Sequence, residues 1–261
     1  MRALVLAAAT LLLPACACAQ VLVALATRPG VTEPVFIADM GEAQPRAVAL
    51  LYSGGYGDIH LRLEDGRPAY RAGNFLLRSY GEFIRNGVLP VMVDAPSDFA
   101  SGMPDSYRRS DAQVADARAV LREVRRRFPG VPVFIVTTSR STLSGAHLGR
   151  ALGAGEVDGV VLSSSMAVSG AWESLAGFDF RAIKAPLLFV HHRDDGCKAT
   201  PYYAAERLAS GFALISVEGG LPPKSGPCDS FAAHGYYGVE PRVVDAMAAW
   251  MLKQPFPKDI R

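Results

Sequence analysis

The chain carries almost no excess charge of either sign: Lys and Arg number 27 against 25 for Asp and Glu, and no long run of one sign interrupts them. Nothing therefore draws it to nucleic acid or to an anionic membrane surface, and the expected partner is a small molecule, with no stable protein partner implied. No internal repeat, low-complexity tract or Pro/Ser-rich linker divides the sequence beyond its first twenty residues. That argues against repeat arrays and for a single domain over 20–261. Cysteine is sparse, with four in 261 residues, and two of these, Cys16 and Cys18, fall close to the N-terminus. No apolar run is long enough to cross a bilayer as a permanent helix.

Half of the residues are apolar, enough for one large core in a chain of 261. The opening segment differs in kind from the rest. Arg2 precedes an apolar run from Ala3 to Leu13, then Pro14 and the small residues Ala15 to Ala19, the layout of a secretory signal peptide over 1–19. Cleavage after Ala17-Cys18-Ala19 would leave Gln20 first, in a periplasmic or secreted protein. The rival reading is a lipoprotein acylated at Cys16, because Leu13-Pro14-Ala15-Cys16 resembles a lipobox; membrane attachment is expected only in that case. After export Cys197 and Cys228 remain, and in an oxidising compartment such a pair reads as a disulfide rather than two thiols or a metal site.

Along the chain, Val21 to Ala26 and Val35 to Ala38 predict two short strands joined through Arg28-Pro29-Gly30, an antiparallel pair at a sheet edge. Apolar runs at Ala47 to Tyr52, Val88 to Val93, Val133 to Val136, Gly159 to Leu162, Leu187 to Val190 and Phe212 to Val217 predict strands buried on both faces. A helix starts at Ser110, with Gln113 completing a capping box and Val114, Ala117, Leu121, Val124 and Phe128 on one face. The arginines at 122 and 125–127 lie near its C-terminus, where they complement the helix dipole as a solvated face. Further helices are expected at Ser141 to Leu152, Tyr202 to Ser210 and Arg242 to Leu252. Strands alternating with helices imply a mostly parallel central sheet with helices on both faces. Chemistry is then sought just beyond the C-terminal ends of the strands.

One such end is Thr137-Thr138-Ser139-Arg140-Ser141-Thr142, a strand, a sharp turn and a helix with Ser139 at the apex. A serine held there is strained and exposed, next to backbone N–H groups of the helix start. Read alone the cluster could be an ordinary Ser/Thr loop, and Ser141 and Ser144 compete with Ser139 as nucleophile. A metal reading is also open at His191, His192, Asp194, Asp195 and Cys197, but adjacent histidines on a strand face opposite ways and no second His-rich motif completes a shell, so no metal is expected. No cofactor is expected either.

The turn resembles the G-x-S-x-G elbow of the α/β-hydrolase family, mapped onto Thr137 to Ser141, with Thr137 and Ser141 standing where the family has glycine. Ser53-Gly54-Gly55-Tyr56-Gly57 occupies the place of that family's HGGG-type loop, Ser53 replacing its histidine. His191-His192-Arg193-Asp194-Asp195 resembles its H-G-x-x-D segment, and His234, between Ala233 and Gly235 ahead of the last helix, its catalytic histidine. The resemblance implies an α/β-hydrolase fold and a triad of Ser139, Asp195 and His234. It also implies an oxyanion hole from Gly55 or Tyr56 together with Arg140. Only about two dozen residues separate the strands ending near Leu162 and beginning at Leu187, so no large lid is expected. A Cys197–Cys228 bond would tie the loops of the acid and the histidine. The implied activity is that of an exported serine hydrolase, a carboxylesterase acting on a small acyl substrate through an acyl-enzyme. Peptidase or acyltransferase chemistry on the same triad, and a non-catalytic binding protein on this scaffold, are the alternatives.

Overall fold

The computed structural model describes residues 20–153 and 155–261; the expected signal peptide and the lipobox cysteine lie outside them. A nine-stranded sheet forms the frame, in the order β1-β2-β6-β3-β7-β8-β9-β10-β11. Its strands are β1 (Val21–Arg28), β2 (Val31–Ile37), β3 (Ala47–Tyr52), β6 (Val88–Val93), β7 (Val133–Thr138), β8 (Gly159–Ser163), β9 (Leu187–His192), β10 (Ala213–Val217) and β11 (Asp259–Ile260). A separate ribbon pairs β4 (Arg62–Glu64) with β5 (Arg67–Ala69). The hairpin β1–β2 is antiparallel and joins β6 antiparallel, while the pairs β6–β3, β3–β7, β7–β8, β8–β9, β9–β10 and β10–β11 are parallel.

The helices are α1 (Phe75–Arg78), α2 (Tyr80–Arg85), α3 (Asp105–Arg108), α4 (Asp111–Arg127), α5 (Thr142–Ala151), α6 (Tyr202–Leu208) and α7 (Glu240–Met251). Two separate apolar clusters cover the two faces of the sheet. One gathers Val48, Leu50, Ile135 and Val160 with Val120, Val124 and Leu148 of α4 and α5, and the other gathers Ala49, Leu51, Val136 and Val161 with Val243 and Met247 of α7. Alternate residues of β3 and β7 thus face opposite cores, which is why those strands read as unbroken apolar runs.

Helix α4 begins as its sequence predicts, with the Ser110 hydroxyl accepting from the Gln113 N–H at 3.3 Å. The reciprocal half of a capping box is replaced: the Gln113 amide donates instead to Ser144 Oγ at 2.9 Å, across to α5. Buried pairing with a neighbouring helix outweighs a local bond at an end already capped. Between β8 and β9, residues 164–186 contain one short 3-10 turn, Phe180–Ala182, and no lid domain. No helix among the described residues is long and apolar enough to cross a membrane.

Candidate active site

Parallel strands deliver their following loops to one end of the sheet. The loops after β3, β7, β9 and β10 supply Gly54, Ser139, Asp195 and His234, which converge there around a cavity of about 290 Å³. Ser53 to Ile59, Asn74, Ser139 and His234 line it.

Ser139 lies directly after β7 with φ of 55°, in the left-handed region. A serine there costs about 1–2 kcal/mol, a strain that the surrounding packing has to hold. Thr137 and Ser141, which replace the glycines of the family pattern, are each accommodated by specific contacts. The Thr137 hydroxyl donates to the Val161 carbonyl at 2.9 Å. Its bulk is taken up by Gly145 on α5, where a Cβ would sit only 2.6 Å from Thr137 Oγ1. The small residue has in effect moved from the strand to the facing helix. Ser141 Oγ accepts from the Thr138 N–H at 2.9 Å and donates to the Tyr52 carbonyl at 2.7 Å, which fastens the turn to the end of β3.

These bonds also separate the competing serines. Ser141 and Ser144 are fully buried, one committed to the turn and the other to Gln113, whereas half-buried Ser139 lines the cavity. Ser139 Oγ lies 2.9 Å from His234 Nε2, and His234 Nδ1 lies 3.0 Å from Asp195 Oδ2. A single tautomer satisfies both, with Nδ1–H donating to the carboxylate and Nε2 accepting the serine proton.

Asp195 is buried and saturated with donors. Its Oδ1 accepts from the Cys197 N–H at 3.0 Å, and its Oδ2 accepts from Thr200 Oγ1 at 2.8 Å and approaches His191 Nε2 at 3.4 Å. Burial alone would push this carboxyl up; the bonds from His191 and His234 outweigh it and hold the group well below its ordinary value, so it stays ionised. Neighbouring Asp194 is exposed. His191 and His192, both in the alternative metal set, have their Nε2 atoms against the carbonyls of Thr200 at 2.7 Å and Gly219 at 2.9 Å.

Sequence reasoning missed the supports of His234. Ser164 Oγ donates to the His234 carbonyl at 2.7 Å, and the buried Tyr236 hydroxyl donates to the Val190 carbonyl at 2.8 Å while accepting from the Ser164 N–H at 3.1 Å. Thr200 Oγ1 also lies 3.1 Å from His234 Nδ1, bracing acid and imidazole together. Cys197 and Cys228 are bonded, as expected, which joins the loop after β9 to the one after β10.

The Ser53–Gly57 loop packs directly on the elbow: a Cβ on Gly54 would lie 2.9 Å from the Thr138 carbonyl oxygen and 3.0 Å from Ser139 Cβ. Gly57 N donates to Gly54 O at 3.1 Å, a turn that leaves the N–H groups of its central residues, Gly55 and Tyr56, unused by the turn itself. Asp94, after β6, holds the continuation of the loop by accepting from the N–H groups of Ile59 and Leu61 at 2.7 Å each. The side chain of Arg140 is paired with Asp105 at 2.6 Å and stacked 3.8 Å from the Trp172 ring. Gly55 and Tyr56 line the cavity together with Ser139, and Arg140 follows Ser139 in the short 3-10 turn that leads into α5.

No protein-family model and no curated relative matches the sequence. Solved structures do. Est1E from Butyrivibrio proteoclasticus, in a structure with ferulic acid, superposes with a TM-score of 0.58 at 13% identity over 86% of this chain and 96% of its own. The esterase domain of a Rhodothermus marinus protein gives 0.56 at 14% identity over 90% and 98%. An α/β serine hydrolase without a lid from Xanthomonas campestris gives 0.55 at 13% over 88% and 94%. The chain has the α/β-hydrolase fold. In this α/β-hydrolase fold the strand order reverses at β3, with β6 on one side and β7 on the other, and the cavity lies beyond the ends of β3 and β7 at that reversal.

Proposed function

We propose that this protein is a serine hydrolase that cleaves carboxylic esters of small molecules through an acyl-enzyme, with Ser139 as nucleophile, His234 as general base and Asp195 orienting the imidazole. The observation that carries this reading is the continuous pair of bonds from Asp195 Oδ2 to His234 at 3.0 Å and from His234 Nε2 to Ser139 Oγ at 2.9 Å, ending on a serine that lines the cavity. A hydroxyl is a poor nucleophile at neutral pH, and an adjacent imidazole removes its proton as it attacks. Ser139 Oγ bonds to the acyl carbon, its proton passes to His234 Nε2, and the carbonyl electron pair moves onto oxygen. The resulting oxyanion is met by the Arg140 N–H and by Gly55 or Tyr56 N–H; each such donor contributes about 3–4 kcal/mol in serine hydrolases. Collapse breaks the ester C–O bond, and the leaving alcohol takes the proton back from the imidazolium. Water then repeats the sequence on the acyl-enzyme, releasing the acid and restoring Ser139. Asp195, ionised and immobilised, stabilises the imidazolium without taking its proton.

The open cleft and the absence of a lid domain among the described residues favour small, soluble esters. The bonded Cys197–Cys228 pair supports an exported protein, since such bonds persist in oxidising compartments. The test is turnover of a panel of p-nitrophenyl esters and the matching anilides by wild-type protein and Ser139→Ala. Ester turnover that disappears in a folded Ser139→Ala is expected; faster anilide than ester turnover would favour a peptidase, and no turnover of either a binding protein.

A further inference from the structure

The segment from Met103 to Arg108 touches both the Ser53–Gly57 loop and Arg140. Met103 N donates to the Tyr56 carbonyl at 2.8 Å, Asp105 holds the Arg140 side chain, and Arg108 Nη2 donates to the Gly55 carbonyl at 3.0 Å. With Gly57 N on the Gly54 carbonyl, three consecutive carbonyls of the loop are held. Because a trans peptide points C=O and N–H in opposite directions, fixing these carbonyls fixes where the free N–H groups of Gly55 and Tyr56 point.

Arg108 is unusual among these contacts. Its side chain is fully buried, it forms no salt bridge among the described residues, and its Nε and Nη1 have no protein partner. A buried guanidinium normally has a carboxylate beside it, because an unpaired charge is costly away from water. Asp105, three residues earlier on the same short helix, is instead taken by Arg140. The loop is shaped to admit Arg108: a Cβ on Gly57 would fall 2.9 Å from Arg108 Nη2 and 2.2 Å from Met103 Cε. Burial, with Arg140 adding to it, pushes Arg108 down to about 10, which still leaves it charged at neutral pH.

We propose that Arg108 is a positioning residue for the hydrolysis: gripping the Gly55 carbonyl from behind the Ser53–Gly57 loop, it orients and polarises the loop's amides toward the oxyanion and sets fixed positive charge behind them. This rests on the hydrolase reading above. The buried, uncompensated charge is costly to the free fold and is offset only when negative charge develops on the substrate carbonyl oxygen, so its contribution falls on the transition state.

Three variants separate grip from charge. Arg108→Gln keeps a donor without charge, Arg108→Lys keeps charge without the planar fork, and Arg108→Met keeps neither. Each is measured for kcat and KM on a p-nitrophenyl ester, for inhibition by an alkyl boronic acid, whose serine adduct is tetrahedral and anionic, and for melting temperature. Since loss of one direct oxyanion donor costs about 10²–10³ in kcat, an indirect support is expected to cost about 10- to 100-fold in Arg108→Met. KM should stay within about threefold, boronic-acid affinity should fall in parallel with kcat, and Arg108→Lys and Arg108→Gln should recover part of each. Folded Arg108→Met and Arg108→Gln with wild-type kcat and boronic-acid affinity overturn the assignment, as does a loss of kcat with unchanged boronic-acid affinity. Failure of all three variants to fold reduces Arg108 to a packing residue and overturns it too. A wild-type protein that neither hydrolyses the esters nor binds the boronic acid overturns the hydrolase reading itself, whereas an active wild type with unaffected variants overturns the role of Arg108 alone.

Discussion

Gly54→Ala places a single methyl group between the two halves of the site. Its Cβ would lie 2.9 Å from the Thr138 carbonyl oxygen and 3.0 Å from Ser139 Cβ. Non-bonded carbon contacts are optimal at about 3.5–4.0 Å, so loop and elbow must separate by about 0.5–1 Å. Neither neighbour is a flexible side-chain tip: one is backbone, and the other belongs to a residue already held at φ of 55°. Overpacking of this kind costs about 1–3 kcal/mol. The backbone at Gly54 is not in the left-handed region, so the reduced freedom of the unfolded chain returns about 0.4–1 kcal/mol. The net loss is about 1–2 kcal/mol, a fall of about 2–8 °C in melting temperature for a chain of this size.

The effect on rate should be larger in relative terms. Oxyanion donors act at about 2.7–3.1 Å, and displacing one by half an ångström or more removes most of its contribution, so kcat is expected to fall about 10²-fold with KM little changed. Gly55→Ala is the control. No atom lies within 4 Å of its Cβ, but its φ is +62°, so it should lose about 1 kcal/mol of stability from backbone strain without wedging loop and elbow apart. Thermal melts and steady-state kinetics on one ester suffice. Gly54→Ala with kcat within threefold of wild type would refute the proposed abutment of oxyanion loop and nucleophile.

Asp195→Asn should lower kcat by about 10⁴ at neutral pH through the wrong imidazole tautomer, while Asp194→Asn stays near wild type; reversed effects in steady-state kinetics would move the acid to Asp194. Reducing Cys197–Cys228, which closes a loop with a sequence separation of 31, should cost about 4 kcal/mol in urea unfolding, and unchanged stability after complete reduction would contradict this. The carboxyl of Asp195 is held below its ordinary value of 3.8, so the stability it contributes is present above that value and is lost as pH falls below it. Acid unfolding of Asp195→Asn should therefore show a shallower decline than wild type, and identical acid profiles would refute the linkage.

Much of the frame was legible in the sequence because parallel strands buried on both faces leave unbroken apolar runs. Ala47 to Tyr52 and Val88 to Val93 are found with the expected bounds, and β7 and β9 run two residues further, into Thr137-Thr138 and His191-His192. Those polar extensions break the apolar signal although their backbone continues the ladder. The hairpin at the edge was visible from its turn residues, but helices α1 and α2 were not, since Phe75 to Arg85 carries no clear start signal beyond Asn74. The placement of loops at strand ends put Ser139, Asp195 and His234 at one end of the sheet, while grouping the three as a triad rested on the resemblance to the α/β-hydrolase family. The roles of Thr200, Ser164, Tyr236, Asp94 and Arg108 were not legible, because each acts through a few contacts to residues distant in sequence, and a lone polar side chain has no periodicity to betray it. Likewise, the missing elbow glycines looked like a defect until Gly145 was seen to make the room Thr137 needs.

Covalent labelling reports on whether Ser139 is an activated nucleophile in an assembled triad. Native protein is treated with a fluorophosphonate, digested and mapped by mass spectrometry, alongside His234→Ala and heat-denatured controls. One phosphonyl group, on Ser139, is expected to form rapidly in native protein and to be lost in both controls. Absence of labelling in folded wild type, or modification at Ser141 or Ser144 instead, would contradict it.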